Sequence, residues 1–258
     1  MVSAWNSRQR WARYGRRRWS ASVSDSRSSN YQLLIFDWDG TLVDSIGRIV
    51  ESMHRAADSC GLPQLSDEAV KGIIGLGLPE AIRTLYPELG EAALVERFRV
   101  GYGEHYIALE NEPSALFPGV EESLQAFREQ GYQLAVATGK SRRGLHRILE
   151  GRGWLDYFDV TRCADETASK PHPRMLHEIL AHCSVTPERA LMVGDSVFDL
   201  QMARNAGMDS VAVGFGAQPL DSLRSHGPRL AINEFPELRA WLEGHAPVSN
   251  VEVDEYVG

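Results

Sequence analysis

The chain has 258 residues, 43% of them hydrophobic and 24% charged, with a formal net charge of −8. That length can bury a sizeable core in one large domain or in a domain with an insertion, and the composition is ordinary for a water-soluble globular protein. No apolar run approaches the ~18–20 residues needed to cross a bilayer, so a membrane-spanning chain is not expected.

The charge is unevenly placed. Residues 1–30 hold seven arginines against one acid, Asp25, and so carry +6, which leaves −14 on the rest. An acidic body does not draw nucleic acid or phosphate from a distance, so nucleic acid is not an expected partner and an anionic substrate needs a local cation. A divalent metal is the natural candidate. Residues 1–30 are rich in Arg and Ser and contain no signal-peptide core, and they read as a disordered basic arm. A nucleic-acid or membrane-surface contact, a transit-like peptide and a true start near Val23 remain open. Residues 246–258 read as an acidic tail. Cys60, Cys163 and Cys183 are odd in number and unclustered, which argues against a disulfide framework or a zinc site and fits a reducing cytoplasm. Only three lysines occur, Lys71, Lys140 and Lys170, against twenty-four arginines.

The first predicted element is the apolar strand Leu33-Leu34-Ile35-Phe36, followed by Asp37-Trp38-Asp39-Gly40. Two carboxylates one residue apart project from the strand's carboxyl end toward the same side, where parallel α/β sheets bind ligands. At ~4 Å such charges repel by about 4 kcal/mol at a surface-like dielectric, so a cation, a shared proton or solvent must attend them. An Asx-turn with two solvated acids is the plain alternative. Trp38 should face away from the acids, into the core or a contact with the helical segment that follows. Residues 46–60 then recur at helical spacing, and helices are predicted over 69–74, 79–86 and about 91–109, with no strand between them. The loop Gly72–Gly77 is glycine-rich enough to close over a ligand, and Arg48 and Arg83 are possible substrate contacts or solvated faces.

From Pro118 the texture alternates. A helix over 120–127, a strand over 134–137, a helix near 145–149 and a weak strand at 158–160 come first. A helix over 175–183, a strand at 191–193, a helix over 200–206 and a last strand at 211–213 follow. This alternation predicts an α/β fold with a doubly wound parallel sheet, with the all-helical segment as an insertion. The expected boundaries are a core of 31–46 and 114–245 and a helical cap of 47–113.

Three further strand ends carry chemistry. Thr138-Gly139 offers a hydroxyl and open backbone N–H groups at a helix start, an anion site or simply an N-cap. Gly139-Lys140-Ser141 imitates the end of a P-loop, but that motif needs Gly where Leu134 stands. Gly75-Leu76-Gly77 fails as a dinucleotide fingerprint at Glu80. Lys170 precedes the rigid Pro171-His172-Pro173, and His172, His177 and His182 are five apart, the wrong spacing for a shared metal on a helix. Gly194-Asp195-Ser196 ends a strand, with Asp199 one helical turn on. With Asp37 and Asp39 these acids supply the hard oxygen ligands that Mg²⁺ prefers.

Taken together, Asp37-Trp38-Asp39-Gly40-Thr41, Thr138, Lys170-Pro171 and Gly194-Asp195-Ser196 to Asp199 resemble the four ordered motifs of the haloacid dehalogenase superfamily of phosphohydrolases, over residues from about 31 to 245. The helical insertion looks like the C1-type cap of the subfamily that contains phosphoglycolate phosphatases. The resemblance implies Asp37 as nucleophile, Asp39 as general acid and base, and Thr138, Gly139 and Lys170 as phosphate holders. It implies Mg²⁺ on Asp37, the Asp39 carbonyl and Asp195, with Asp199 and Ser196 steadying the metal's surroundings. The expected substrate is a small phosphorylated metabolite: phosphoglycolate, a sugar phosphate or a nucleoside monophosphate. A hexose-phosphate phosphomutase of the same fold is the alternative. Departures are Trp38, bulkier than the usual Phe or Leu, and Gly139, where Asn is frequent.

Overall fold

A computed structural model describes residues 31–89, 92–109 and 113–245. The expected basic arm and acidic tail lie outside the described residues. Six parallel strands form one sheet: β1 Leu33–Phe36, β2 Gln133–Thr138, β3 Val160–Cys163, β4 Ala190–Gly194, β5 Asp209–Val213 and β6 Leu230–Ile232. They lie in the order β3-β2-β1-β4-β5-β6. The chain winds outward from β1 in both directions, so the gap between the carboxyl ends of β1 and β4 is the crevice where such sheets bind ligands.

All four β1 residues are fully buried, as a central strand covered on both faces requires. Leu34 and Phe36 face a cluster with Phe127, Leu145 and Phe235, whereas Leu33 and Ile35 face Met175, Ile179 and Met202. Trp38 shares the parity of Phe36. It is fully buried and meets Trp154 and Phe158 edge-on, with ring centroids 6.4 Å and 6.2 Å away. Asp37 and Asp39 therefore take the other parity.

Between β1 and β2 come α1 Ile46–Cys60, α2 Asp67–Lys71, α3 Leu78–Leu85, α4 Ala92–Ala108 and α5 Val120–Glu129. The first four share a separate apolar cluster that includes Ile49, Met53, Ile82 and Phe98. The chain enters and leaves this helical insertion side by side: the Asp44 N–H donates to the Ala115 carbonyl at 2.9 Å and the Phe117 N–H to the Leu42 carbonyl at 3.1 Å.

Three expectations shift. The weak strand at 158–160 begins at Val160, because Phe158 is drawn under Trp38 into the core. The helix over 69–74 stops at Lys71, and 72–77 becomes a turn that opens on glycine. Val211–Val213 is not the last strand: the three-residue β6 pairs with β5, flanked by α9 Leu220–Arg224 and α10 Pro236–His245. The helices α6 Arg142–Arg152, α7 Arg174–Cys183 and α8 Val197–Asn205 complete the layers.

Candidate active site

Asp37 leaves the carboxyl end of β1 with its side chain 2% exposed. The Lys170 ammonium, wholly buried, lies 2.8 Å from Asp37 Oδ1 and 2.7 Å from Asp199 Oδ1. Asp199 is oriented by its own helix start: the Ser196 hydroxyl and N–H donate to its Oδ2 at 2.7 Å and 3.2 Å, the reciprocal arrangement of a capping box at α8. Asp195, at the end of β4, accepts from the Ala217 N–H at 2.7 Å and from the Thr41 hydroxyl at 3.1 Å. Gly40, with φ of +77°, lets the chain turn beside Asp195, where any Cβ would overlap that carboxylate.

Asp37, Asp195 and Asp199 each place a carboxylate oxygen within 4.8 Å of the others. One ammonium faces three buried carboxylates. Burial pushes the Asp37 carboxyl well above its ordinary range, and the charges of Asp199 and Asp195 add to this against the pull of Lys170. Asp195 is pushed up to about 7 by burial and then by Asp199, despite its two donors and Lys170. Burial alone would lower Lys170, but Asp199 and Asp37 outweigh it and hold the amine protonated. A divalent cation is the group this excess of negative charge fits: the donors are hard oxygens, already convergent, and otherwise forced to keep a proton.

The sequence-selected residues divide. Asp37, Asp195, Asp199, Ser196 and Lys170 converge in this pocket. Thr138 is buried at the end of β2, its hydroxyl accepting from the Lys140 N–H at 3.2 Å. Gly139 lies under the loop of the helical insertion, where a Cβ would overlap the Leu76 carbonyl and stand 2.8 Å from that of Gly75. The same loop is tied down by the Gly77 N–H, which donates to Ser169 Oγ at 2.8 Å.

The Asp39 side chain belongs to a second group. Its Oδ1 accepts from the Ser45 hydroxyl at 2.5 Å and lies 3.0 Å from the Lys140 ammonium. Lys140 also donates to Tyr106 Oη at 3.2 Å and stands 4.6 Å from the centre of that ring. Burial would lower the Lys140 pKa, but Asp39 and then the two tyrosines Tyr106 and Tyr102 raise it, so the amine stays charged. Arg48 lies over the same Tyr106 ring at 5.6 Å, whereas Arg83 is exposed beside Glu80.

Sequence reasoning gave no role in the site to Lys140, Tyr106, Ser45 or Thr41. The scarcity of lysine singled out Lys140, but the P-loop that its neighbours imitate failed at Leu134 and left it without a partner to act on. Tyr106 sits on α4 with no pattern to distinguish it from core residues such as Phe98.

Comparison with known proteins gives a consistent answer. The family model described as haloacid dehalogenase-like hydrolase matches residues 34–213. A "probable phosphatase IndB" from Dickeya dadantii is 35% identical over 80% of this chain and 91% of its own. A plasmid-borne phosphoglycolate phosphatase from Cupriavidus necator is 34% identical over 71% of this chain and 80% of its own. Among solved structures, a predicted phosphoglycolate phosphatase from Haemophilus somnus 129pt superposes with a TM-score of 0.73, at 27% identity, covering 82% of this chain and 98% of its own. A candidate β-phosphoglucomutase from Bacteroides vulgatus, at 22% identity and a TM-score of 0.72 over 85% of this chain and 91% of its own, shares the fold alone.

Proposed function

Because the chain belongs to the haloacid dehalogenase-like hydrolases, we propose that it is a Mg²⁺-dependent phosphatase that hydrolyses a small phosphate monoester through an aspartyl-phosphate. The buried convergence of Asp37, Asp195, Asp199 and Lys170 at the β1/β4 crevice carries this reading. The relatives named as phosphoglycolate phosphatases make phosphoglycolate the first substrate to try.

A carboxylate attacks an anion poorly unless charge is neutralised and the attack is aimed. Lys170 holds Asp37 in place, and its ammonium, with the Thr138 hydroxyl and the backbone N–H groups after it, meets the phosphoryl oxygens. Asp37, Asp195 and the Asp39 backbone carbonyl would hold Mg²⁺, which would supply the positive charge that lets nucleophile and phosphate approach. An Asp37 oxygen bonds to phosphorus as the ester P–O bond breaks, and Asp39 protonates the departing alcohol. Asp39 then takes a proton from a water that attacks the phosphorus, releasing inorganic phosphate and restoring Asp37. Asp199 acts through Lys170, whose ammonium it holds at 2.7 Å.

The helices of 47–113 serve as the cap, and the 72–77 loop, seated on Gly139 and Ser169, shuts water out of the crevice. Among the described residues no helix is long and apolar enough to cross a membrane. A cytoplasmic location is part of this reading, which the odd and unclustered set of three cysteines in the sequence fits. Release of inorganic phosphate across a panel of phosphorylated metabolites, with Mg²⁺ and with EDTA, tests the reading. Interconversion of sugar phosphates without release would instead favour a phosphomutase.

A further inference from the structure

The leaving alcohol must sit on the Asp39 side of the crevice, away from Lys170, and the charge on that side comes from Lys140. Its side chain is only 10% exposed, its ammonium is 3.0 Å from Asp39 Oδ1, and Tyr106 braces it by both hydroxyl and ring face. Arg48 approaches the same ring, so two cations share one buried tyrosine beside the acid. Neither attack nor the holding of the transferred phosphoryl group requires them, because Lys170 and Thr138 occupy those places.

The position of Lys140 sets what it can reach. A general acid works within ~3 Å of the oxygen it protonates, and with the ammonium 3.0 Å from Oδ1 and the second carboxylate oxygen free to be the acid atom, Lys140 lies about 8 Å or less from the ester oxygen. An anionic group two or three bonds beyond that oxygen falls between the two. Asp39 does not depend on Lys140 alone, since the Ser45 hydroxyl donates to the same Oδ1 at 2.5 Å. The ammonium can therefore move onto a substrate anion while Oδ1 keeps a donor. Lysine suits this exchange, being a compact charge on a flexible stem, where an Arg fork would be committed to one planar partner.

Resting on the phosphatase reading, we propose that Lys140, braced by Tyr106, recognises an anionic group on the leaving alcohol. Phosphate monoesters that carry a carboxylate or a second phosphate near the ester are then preferred over neutral ones.

The test is steady-state hydrolysis with Mg²⁺ of two matched pairs: 2-phosphoglycolate against ethyl phosphate, and 2-phosphonoethyl phosphate, whose phosphonate three bonds from the ester oxygen stands for a second phosphate, against propyl phosphate. The parent is expected to favour the more charged member of at least one pair by about tenfold or more in kcat/KM. The pair that shows the preference tells a carboxylate from a phosphate. Lys140→Met is expected to remove most of that preference, chiefly through KM. Equal kcat/KM within both pairs for the parent, or an equal loss on charged and neutral esters in Lys140→Met, overturns the inference, since a lysine that only steadied Asp39 would slow both alike. Absence of any hydrolysis by the parent overturns the phosphatase reading itself, and this inference with it. Should Lys140→Met not fold, Tyr106→Phe keeps the ring and removes the brace; it is expected to lower the same ratio severalfold, and an unchanged ratio overturns the assignment.

Discussion

The two sides of the crevice are built differently. Asp37, Lys170, Asp195 and Asp199 come entirely from loops at the ends of sheet strands and the helix start after β4, and all four are buried. Asp39 and Lys140 are also core residues, but their partners Ser45 and Tyr106 lie at the start of α1 and on α4, within or at the edge of the helical insertion. Charge at the first side is in deficit, three acids to one amine; at the second, acid and amine are matched. In the proposed reaction the first side takes the phosphoryl group and still lacks a cation, whereas the second, which takes the alcohol, has its acid and amine already paired.

The largest test of this division is Asp37→Asn. The amide cannot form the aspartyl-phosphate, so phosphate release with Mg²⁺ should fall about 10⁴-fold or more. Residual turnover near the parent level would remove Asp37 from the nucleophile's role. Next is Lys170→Met, which strips the one cation from two carboxylates at 2.7–2.8 Å. Breaking a buried ion pair from one side costs about 3–5 kcal/mol, read as a shift of the urea midpoint in EDTA. Lys140→Met, on the less buried side, should cost markedly less stability; equal losses would erase the contrast.

That contrast also explains what the sequence disclosed. Asp37, Thr138, Lys170 and Asp195 stand at or just past apolar strand ends or beside a proline, so local pattern marked them as candidates and the family resemblance gave them roles. The parity of β1 separated Trp38 from the acids for the same reason. Lys140 could not be placed in this way: its partner Tyr106 is 34 residues away on a helix of another layer, and only the packing of the insertion onto the core brings the two together. Strand β6 escaped because three residues at a sheet edge, flanked by Pro228 and Asn233, offer too short a run for periodicity to register. The glycine-rich Gly72–Gly77 loop was legible in the sequence, but its seat on Ser169 and Gly139 was not.

The charge deficit predicts an intermediate effect that depends on pH. Asp195 is raised from an ordinary 3.8 to about 7, and Asp37 is raised in the same direction. Between about pH 4 and pH 7 the folded protein without metal holds a proton that the unfolded chain has released. Stability linked to that proton is present below pH 4 and is lost as pH rises through 7. In EDTA, Tm should therefore fall from pH 5.5 to 8 more steeply for the parent than for Asp195→Asn, which has no carboxyl to titrate. Mg²⁺ replaces the proton, so the Tm rise that it gives should be larger at pH 8 than at pH 5.5. Calorimetry showing a Mg²⁺ shift independent of pH would mean that the acids are not its ligands.

The smallest effects should come from the loop that joins the two sides. Gly139→Ala forces a methyl group against the Leu76 and Gly75 carbonyls, and since these are backbone atoms the loop must move as a unit. Ser169→Ala removes the acceptor for the Gly77 N–H, a bond of about 1 kcal/mol or roughly fivefold, along with the hydroxyl's longer bond to the Lys170 carbonyl at 3.2 Å. Neither residue touches the reacting atoms through its side chain. Both variants should therefore raise KM several-fold with little change in kcat, with Gly139→Ala the stronger because it displaces the loop where Ser169→Ala merely loosens it. If kcat fell as much as KM rose, the seat of this loop would be part of the assembly of the catalytic groups, and the separation between the two sides would not hold.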